Sequence, residues 1–226
     1  MKPCVIFDLD GTLADTSGDL IAAANHCFKG MGETVRLDPV ADAAIALRGG
    51  RRMLTEGLTR AGRMDAAVVD RSYPELLQAY GAALDVHTRL YDGCVETVEA
   101  LRSSGYAVGV CTNKPEALAE TLLQRLGVRG LFASLIGADT LPVRKPDPAP
   151  FVASVQQAGG LLKRSLLVGD SDTDRKTAAA AGVPCILVTF PPGNPDIDAL
   201  QPEGVVDHLS ELPAEVARLI GPGQPG

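Results

Sequence analysis

Positive charge is in short supply. Lys and Arg number 21 against 28 Asp and Glu, a net charge of −7 over 226 residues. That sign argues against nucleic acid as a partner, although a few lysines, amide N–H groups and a metal still suffice to hold one phosphate locally. Long apolar runs are missing too. None approaches the length of a membrane span, so no membrane association is expected. Met1-Lys2-Pro3-Cys4 leads into only three apolar residues before Asp8, which does not read as a signal peptide. The cysteines (Cys4, Cys27, Cys94, Cys111 and Cys185) are odd in number and form no C-x-x-C pair or zinc-spaced cluster with histidine. Three of them lie in or beside apolar runs, where a free thiol packs as a small hydrophobe. A reducing compartment, the cytoplasm, is the expectation. His26, His87 and His208 are scattered without partners, and no internal repeat is visible.

What is present is globular: 46% apolar and 22% charged residues. Val5-Ile6-Phe7 ends abruptly in Asp8-Leu9-Asp10-Gly11-Thr12, an apolar strand run closed by two carboxylates one residue apart. From residue 15 to 88 only helical spacings appear. Thr16 reads as a helix cap with Asp19 three residues on. Pro39 opens a segment, Met53, Leu54 and Leu58 share a face, and Pro74 reads as a helix start. The pattern then alternates. Ala107–Cys111, Leu135–Gly137, Leu166–Val168 and Cys185–Val188 suit strands, with helices between them stopped by Gly105, Gly127 and Gly182. Val205-Val206 suits an edge strand, and Gly221 to Gly226 reads as a mobile tail. The expected fold is α/β, a doubly wound, Rossmann-like parallel sheet formed by residues 1–14 and 89–226, with residues 15–88 inserted as an all-helical domain.

Polar groups sit at four successive strand ends: Asp8 and Asp10, Thr112 with Asn113, Lys145, and Asp170 with Asp174. Each has an ordinary reading. Asp-Gly marks a turn, Thr112 or Asn113 caps a helix, Lys145 is a loop lysine, and Asp170 and Asp174 serve a turn and a cap. Ligands of open α/β sheets gather beyond strand C-termini, and four such ends together favour a site. The residue types suit phosphoryl transfer to a carboxylate, because Asp is ionised at neutral pH and needs no separate base. A carboxylate and a phosphate dianion 4 Å apart repel by about 8 kcal/mol at an effective dielectric near 20. A divalent cation and a lysine offset such a term. Mg²⁺ prefers oxygen ligands, which Asp8, Asp170 and the backbone carbonyl of Asp10 supply. Lys145 and the Thr112 hydroxyl then hold the phosphoryl oxygens, leaving Asp10 to protonate the leaving alcohol and activate water.

The order Asp8-Leu9-Asp10-Gly11-Thr12, Cys111-Thr112-Asn113, Lys145-Pro146-Asp147-Pro148 and Gly169-Asp170-Ser171-x-x-Asp174 resembles the haloacid dehalogenase superfamily, in the subgroup with a helical cap between its first two motifs. Asp8 to Asp15, Val110 to Ala117 and Leu141 to Pro150 are very similar to bacterial phosphoglycolate phosphatases. The resemblance implies a Mg²⁺-dependent phosphomonoesterase with Asp8 as nucleophile and Asp10 as general acid/base. It implies metal binding at Asp8, Asp10 and Asp170, with Asp174 supporting. Substrate contacts fall to Thr112, Asn113 and Lys145, and a small phosphorylated metabolite is the expected partner of a monomer or homodimer. Phe190-Pro191-Pro192-Gly193-Asn194-Pro195 departs from the family's Gly-Tyr-x-x-Gly-like segment, and the inserted domain matches less well than the core. Within that domain, Arg51 of Arg48-Gly49-Gly50-Arg51-Arg52 is the candidate for a substrate carboxylate; a solvated basic face is the alternative. Rival functions are a phosphomutase of the β-phosphoglucomutase type, a phosphatase of another small phosphometabolite, a dehalogenase, which needs no Mg²⁺ and against which Asp10 argues, and a receiver-like module, which is about half as long.

Overall fold

The computed structural model describes residues 1–193 and 196–223. In chain order the elements are β1 (Lys2–Phe7), β2 (Ala14–Asp15), α1 (Ser17–Gly30), α2 (Ala43–Ala46), α3 (Gly50–Arg60), α4 (Ala66–Ala82), β3 (Arg89–Leu90), α5 (Cys94–Ser103), β4 (Ala107–Cys111), α6 (Glu116–Arg125), β5 (Ser134–Ile136), α7 (Ala149–Gln157), β6 (Gly160–Gly169), α8 (Asp172–Ala181), β7 (Cys185–Val188), α9 (Ile197–Leu200), β8 (Gly204–Val206) and α10 (Leu212–Ile220). Six strands form one parallel sheet in the order β5-β4-β1-β6-β7-β8, and β2 pairs with β3 in a separate ribbon. The chain divides into two compact units, Met1–Ala14 with Leu90–Gly226, and Asp15–Arg89.

The sheet unit is built on β1, whose residues from Pro3 to Phe7 are all buried because neighbours flank it on both edges. Alternation sends Cys4 and Ile6 to one face, where they join Leu167, Cys185 and Leu187 under Phe151 and Val155 of α7 and Ala178 of α8. Helices α5 and α10 pack against β4 and against β6 and β8. This is the doubly wound arrangement that the strand–helix alternation predicts. Gly105, Gly127 and Gly182 follow α5, α6 and α8 with positive φ, the conformation that ends a helix most readily when no Cβ is present. Val205-Val206 does form the edge strand, within β8. The expected mobile tail is partly anchored. Gly221 O accepts from Tyr106 Oη at 2.7 Å, and Pro222 O accepts from Arg164 Nη2 at 2.7 Å. Residues 224–226 lie outside the described residues, as do Asn194 and Pro195 of the divergent segment.

The helical unit contains α1 to α4, packed around Ile21, Phe28, Met53, Leu54, Leu58, Leu76 and Tyr80. Two expectations need correction. Pro74 does not start a helix: α4 begins at Ala66, where the Asp65 side chain accepts from Ala67 N, and Pro74 lies inside it. The stripe Val69, Ser72, Leu76, Tyr80 buries one continuous face, and that packing outweighs the loss of one helical N–H. Thr16 occupies the cap position of α1 but makes no side-chain capping bond, and Asp15 Oδ1 accepts from Ser17 N at 3.0 Å instead. Asp19 turns inward, accepting from the backbone of His87 and Thr88 and from Thr88 Oγ1 at 2.8 Å. It therefore ties the start of the helical unit to its end.

Candidate active site

Strand register builds the site. Phe7 lies opposite Val110 of β4 and Val168 of β6, and Asp8 N donates to Val168 O at 2.8 Å. The residues just beyond these strands, Asp8, Thr112 and Asp170, therefore emerge along one edge. Lys145 follows from the loop after β5, whose Ile136 pairs with Cys111. Thus the sheet unit brings together every predicted residue except Arg51.

Lys145 occupies the centre, with its side chain 1% exposed. Its Nζ donates to Asp174 Oδ1 at 2.6 Å and lies 3.0 Å from Asp8 Oδ2. Burial opposes its charge, but Asp174 and Asp8 more than compensate and hold the ammonium well above its ordinary range. Asp174 also closes a capping box with the N-cap Ser171, accepting from Ser171 N at 3.2 Å and from Ser171 Oγ at 2.6 Å, so it serves both the start of α8 and the site. Asp8 Oδ1 accepts from Leu9 N at 2.7 Å. Burial pushes the Asp8 carboxyl up to about 6, against the pull of Lys145. Asp170 is raised well above the carboxylate range by burial and then by Asp174 and Asp8; it accepts from Thr12 Oγ1 at 3.2 Å.

Gly11 permits this crowding. Its φ is +78°, and a Cβ there would lie 2.6 Å from Asp170 Oδ2. Carboxylate oxygens of Asp8, Asp170 and Asp174 lie within 4.8 Å of one another. When all are ionised, three carboxylates against the one Lys145 ammonium leave two negative charges in a buried space. An all-oxygen donor set with that charge fits a hard divalent cation.

The second half of the site includes a residue that sequence reasoning missed. Lys114 is buried, and its Nζ donates to both carboxylate oxygens of Asp10, at 2.7 and 2.9 Å. Its backbone N donates to Thr112 Oγ1 at 3.2 Å, so the turn after β4 carries both groups. Neither Thr112 nor Asn113 caps α6, whose N-cap is Pro115. Asn113 is exposed, and its Nδ2 donates to Lys145 O at 3.0 Å, linking two of the strand-end loops. The signal for Lys114 was its place in Thr112-Asn113-Lys114, one side chain away from residues already singled out. Arg51 lies in the helical unit, where it pairs with Asp70 and sits 4.5 Å from the Tyr73 ring centroid.

Burial pushes Cys4, Cys94 and Cys111 up to about 12 and Cys27 to about 11, and raises Cys185 well above its usual value, so all five remain thiols near neutral pH.

Residues 5–188 match the family model for haloacid dehalogenase-like hydrolases. The chain is a haloacid dehalogenase-like hydrolase. The matched span contains all four strand-end motifs of this hydrolase. It is 36% identical over 221 residues to a phosphoglycolate phosphatase of Mesorhizobium japonicum, covering 97% of both chains. It is also 36% identical to one of Agrobacterium fabrum, covering 99% of this chain and 96% of the relative. The crystal structure of a predicted phosphoglycolate phosphatase from Haemophilus somnus superposes with a TM-score of 0.80 at 27% identity, covering 93% of this hydrolase and 96% of that chain. Among the described residues, no helix of the hydrolase is long and apolar enough to cross a membrane.

Proposed function

We propose that this hydrolase is a Mg²⁺-dependent phosphatase of a small phosphate monoester, 2-phosphoglycolate first, acting through a phosphoryl group carried on Asp8. The observation that carries the reading is the buried Lys145 ammonium between Asp8 and Asp174, with the Asp170 carboxylate alongside. A site with one ammonium among three carboxylates is prepared for a dianionic group together with a compensating cation. The relatives named phosphoglycolate phosphatase give the substrate its first candidate.

In this reading Asp8 attacks phosphorus, and the ester oxygen leaves with a proton from Asp10. Water deprotonated by Asp10 then cleaves the acyl phosphate. Thr112, Asn113 and Lys145 hold the phosphoryl oxygens, so position and charge are supplied in advance. Asp8, the Asp10 backbone carbonyl and Asp170 would hold Mg²⁺, with Asp174 supporting them. When bound, the ion neutralises phosphoryl charge and lowers the repulsion that Asp8 meets. Residues 15–88 act as the cap that selects the ester, with Arg51 the candidate contact for a substrate carboxylate. Five free thiols support a reducing, cytoplasmic setting.

The test is a substrate panel of 2-phosphoglycolate, hexose phosphates and nucleotides with Mg²⁺, read as kcat/KM. The reading expects phosphate release, greatest from 2-phosphoglycolate. No release from any small monoester would overturn the phosphatase assignment. Isomerisation of a hexose phosphate without net release would move the protein to the phosphomutases.

A further inference from the structure

We propose that Lys114 is a positioning residue for the leaving-group step, acting through Asp10; the inference rests on the phosphatase reading above. Its side chain is 3% exposed, and its ammonium straddles both oxygens of Asp10 at 2.7 and 2.9 Å. One ammonium nitrogen close to both oxygens holds the carboxylate at a fixed distance with both oxygens turned toward it. The backbone of the residue is held equally firmly. Lys114 N donates to Thr112 Oγ1 at 3.2 Å, Lys114 O accepts from Ala138 N at 2.9 Å, and Thr112 N donates to Ile136 O at 2.9 Å. One pinned turn therefore carries both the hydroxyl assigned to the phosphoryl group and the cation that aims the acid–base carboxyl. The spacing between the Thr112 hydroxyl and the Asp10 carboxyl is built into that turn.

A buried ion pair is weak evidence of a stabilising role, because desolvation offsets most of the attraction. Placement of Asp10 accounts better for a lysine buried at this point. In the step concerned, an Asp8 carboxylate oxygen bonds to phosphorus as the phosphorus–ester oxygen bond breaks. The departing oxygen takes the proton of the Asp10 carboxyl, carried on one oxygen while the other keeps the contact with Lys114. Lys114 transfers no proton; it sets where the Asp10 oxygen stands when the bond breaks. General acid catalysis contributes about 10²–10⁴-fold where the leaving group needs a proton and little where it does not. Nitrophenolate leaves unassisted near neutral pH, whereas an alkoxide does not.

The experiment compares kcat/KM for 2-phosphoglycolate and for p-nitrophenyl phosphate, with Mg²⁺, in the wild type, K114M and K114R. kcat/KM reports steps only through departure of the alcohol, so later hydrolysis of the acyl phosphate does not enter. K114M should raise the aryl-to-alkyl ratio at least about tenfold, and K114R, which keeps a cation beside Asp10, should return most of it. K114Q takes the place of K114M if the latter does not fold. An equal fall with both esters would reduce Lys114 to a structural residue and overturn the inference while leaving the phosphatase reading intact. A wild type inactive on both esters would overturn this inference, and inactivity on every small monoester of the panel would overturn the phosphatase reading with it.

Discussion

Replacing Lys145 by methionine tests the electrostatics of the site most severely without altering its shape much. The ammonium is the cation 2.6 Å from Asp174 and 3.0 Å from Asp8, and its loss leaves Asp8, Asp170 and Asp174 facing one another. Removing one partner of a buried ion pair costs about 3–5 kcal/mol, because the remaining charge is desolvated and unpaired. In a chain of this size each kcal/mol is about 2–4 °C of melting temperature, so K145M should melt about 6–20 °C lower. The assay is thermal unfolding in EDTA at pH 8, repeated at pH 5. Protonation relieves crowded carboxylates, so the deficit should shrink at the lower pH. Mg²⁺ added at pH 8 should restore part of it. A melting temperature within about 2 °C of the wild type at pH 8 would refute the reasoning, since the three carboxylates would then not be relying on Lys145.

Without a divalent cation the wild type should itself lose stability as pH rises. The folded Asp8 carboxyl titrates near 6 against an ordinary 3.8, so the folded state binds more protons between these values. At about 1.4 kcal/mol per unit, Asp8 alone removes up to about 3 kcal/mol between pH 4 and 6, and urea titrations in EDTA against pH would reveal a flat profile if this is wrong. Gly11→Ala places a Cβ 2.6 Å from Asp170 Oδ2 at a φ of +78°. It should cost about 1–3 kcal/mol and raise the Mg²⁺ concentration for half-maximal activity, and unchanged Mg²⁺ dependence would count against Asp170 as a ligand. Arg51→Ala should raise KM for 2-phosphoglycolate more than for a neutral alkyl phosphate; equal effects would remove Arg51 from carboxylate recognition.

The sheet edge that gathers the candidate site was readable in the sequence because a parallel strand is an apolar run and its end is abrupt. Val5-Ile6-Phe7 before Asp8 and Leu166-Leu167-Val168 before Gly169-Asp170 need no neighbours to be recognised. The ion pairing was not readable. Which carboxylate Lys145 meets depends on α8 placing Asp174 over Gly169, a contact between residues 29 apart. Lys114 escaped for a related reason, since a lysine after Thr-Asn in a turn looks solvated until the fold buries it. Pro74 misled because proline favours the first turn of a helix, whereas here the packing of Val69, Leu76 and Tyr80 carries α4 through it.

The most direct test of the account is acid-quench mass spectrometry of the enzyme mixed with 2-phosphoglycolate and Mg²⁺. A phosphoryl adduct should appear within the first turnover, map to the peptide containing Asp8, and be absent from Asp8→Asn, which should also lose turnover. Turnover with no adduct on Asp8, or undiminished turnover by Asp8→Asn, would contradict the account.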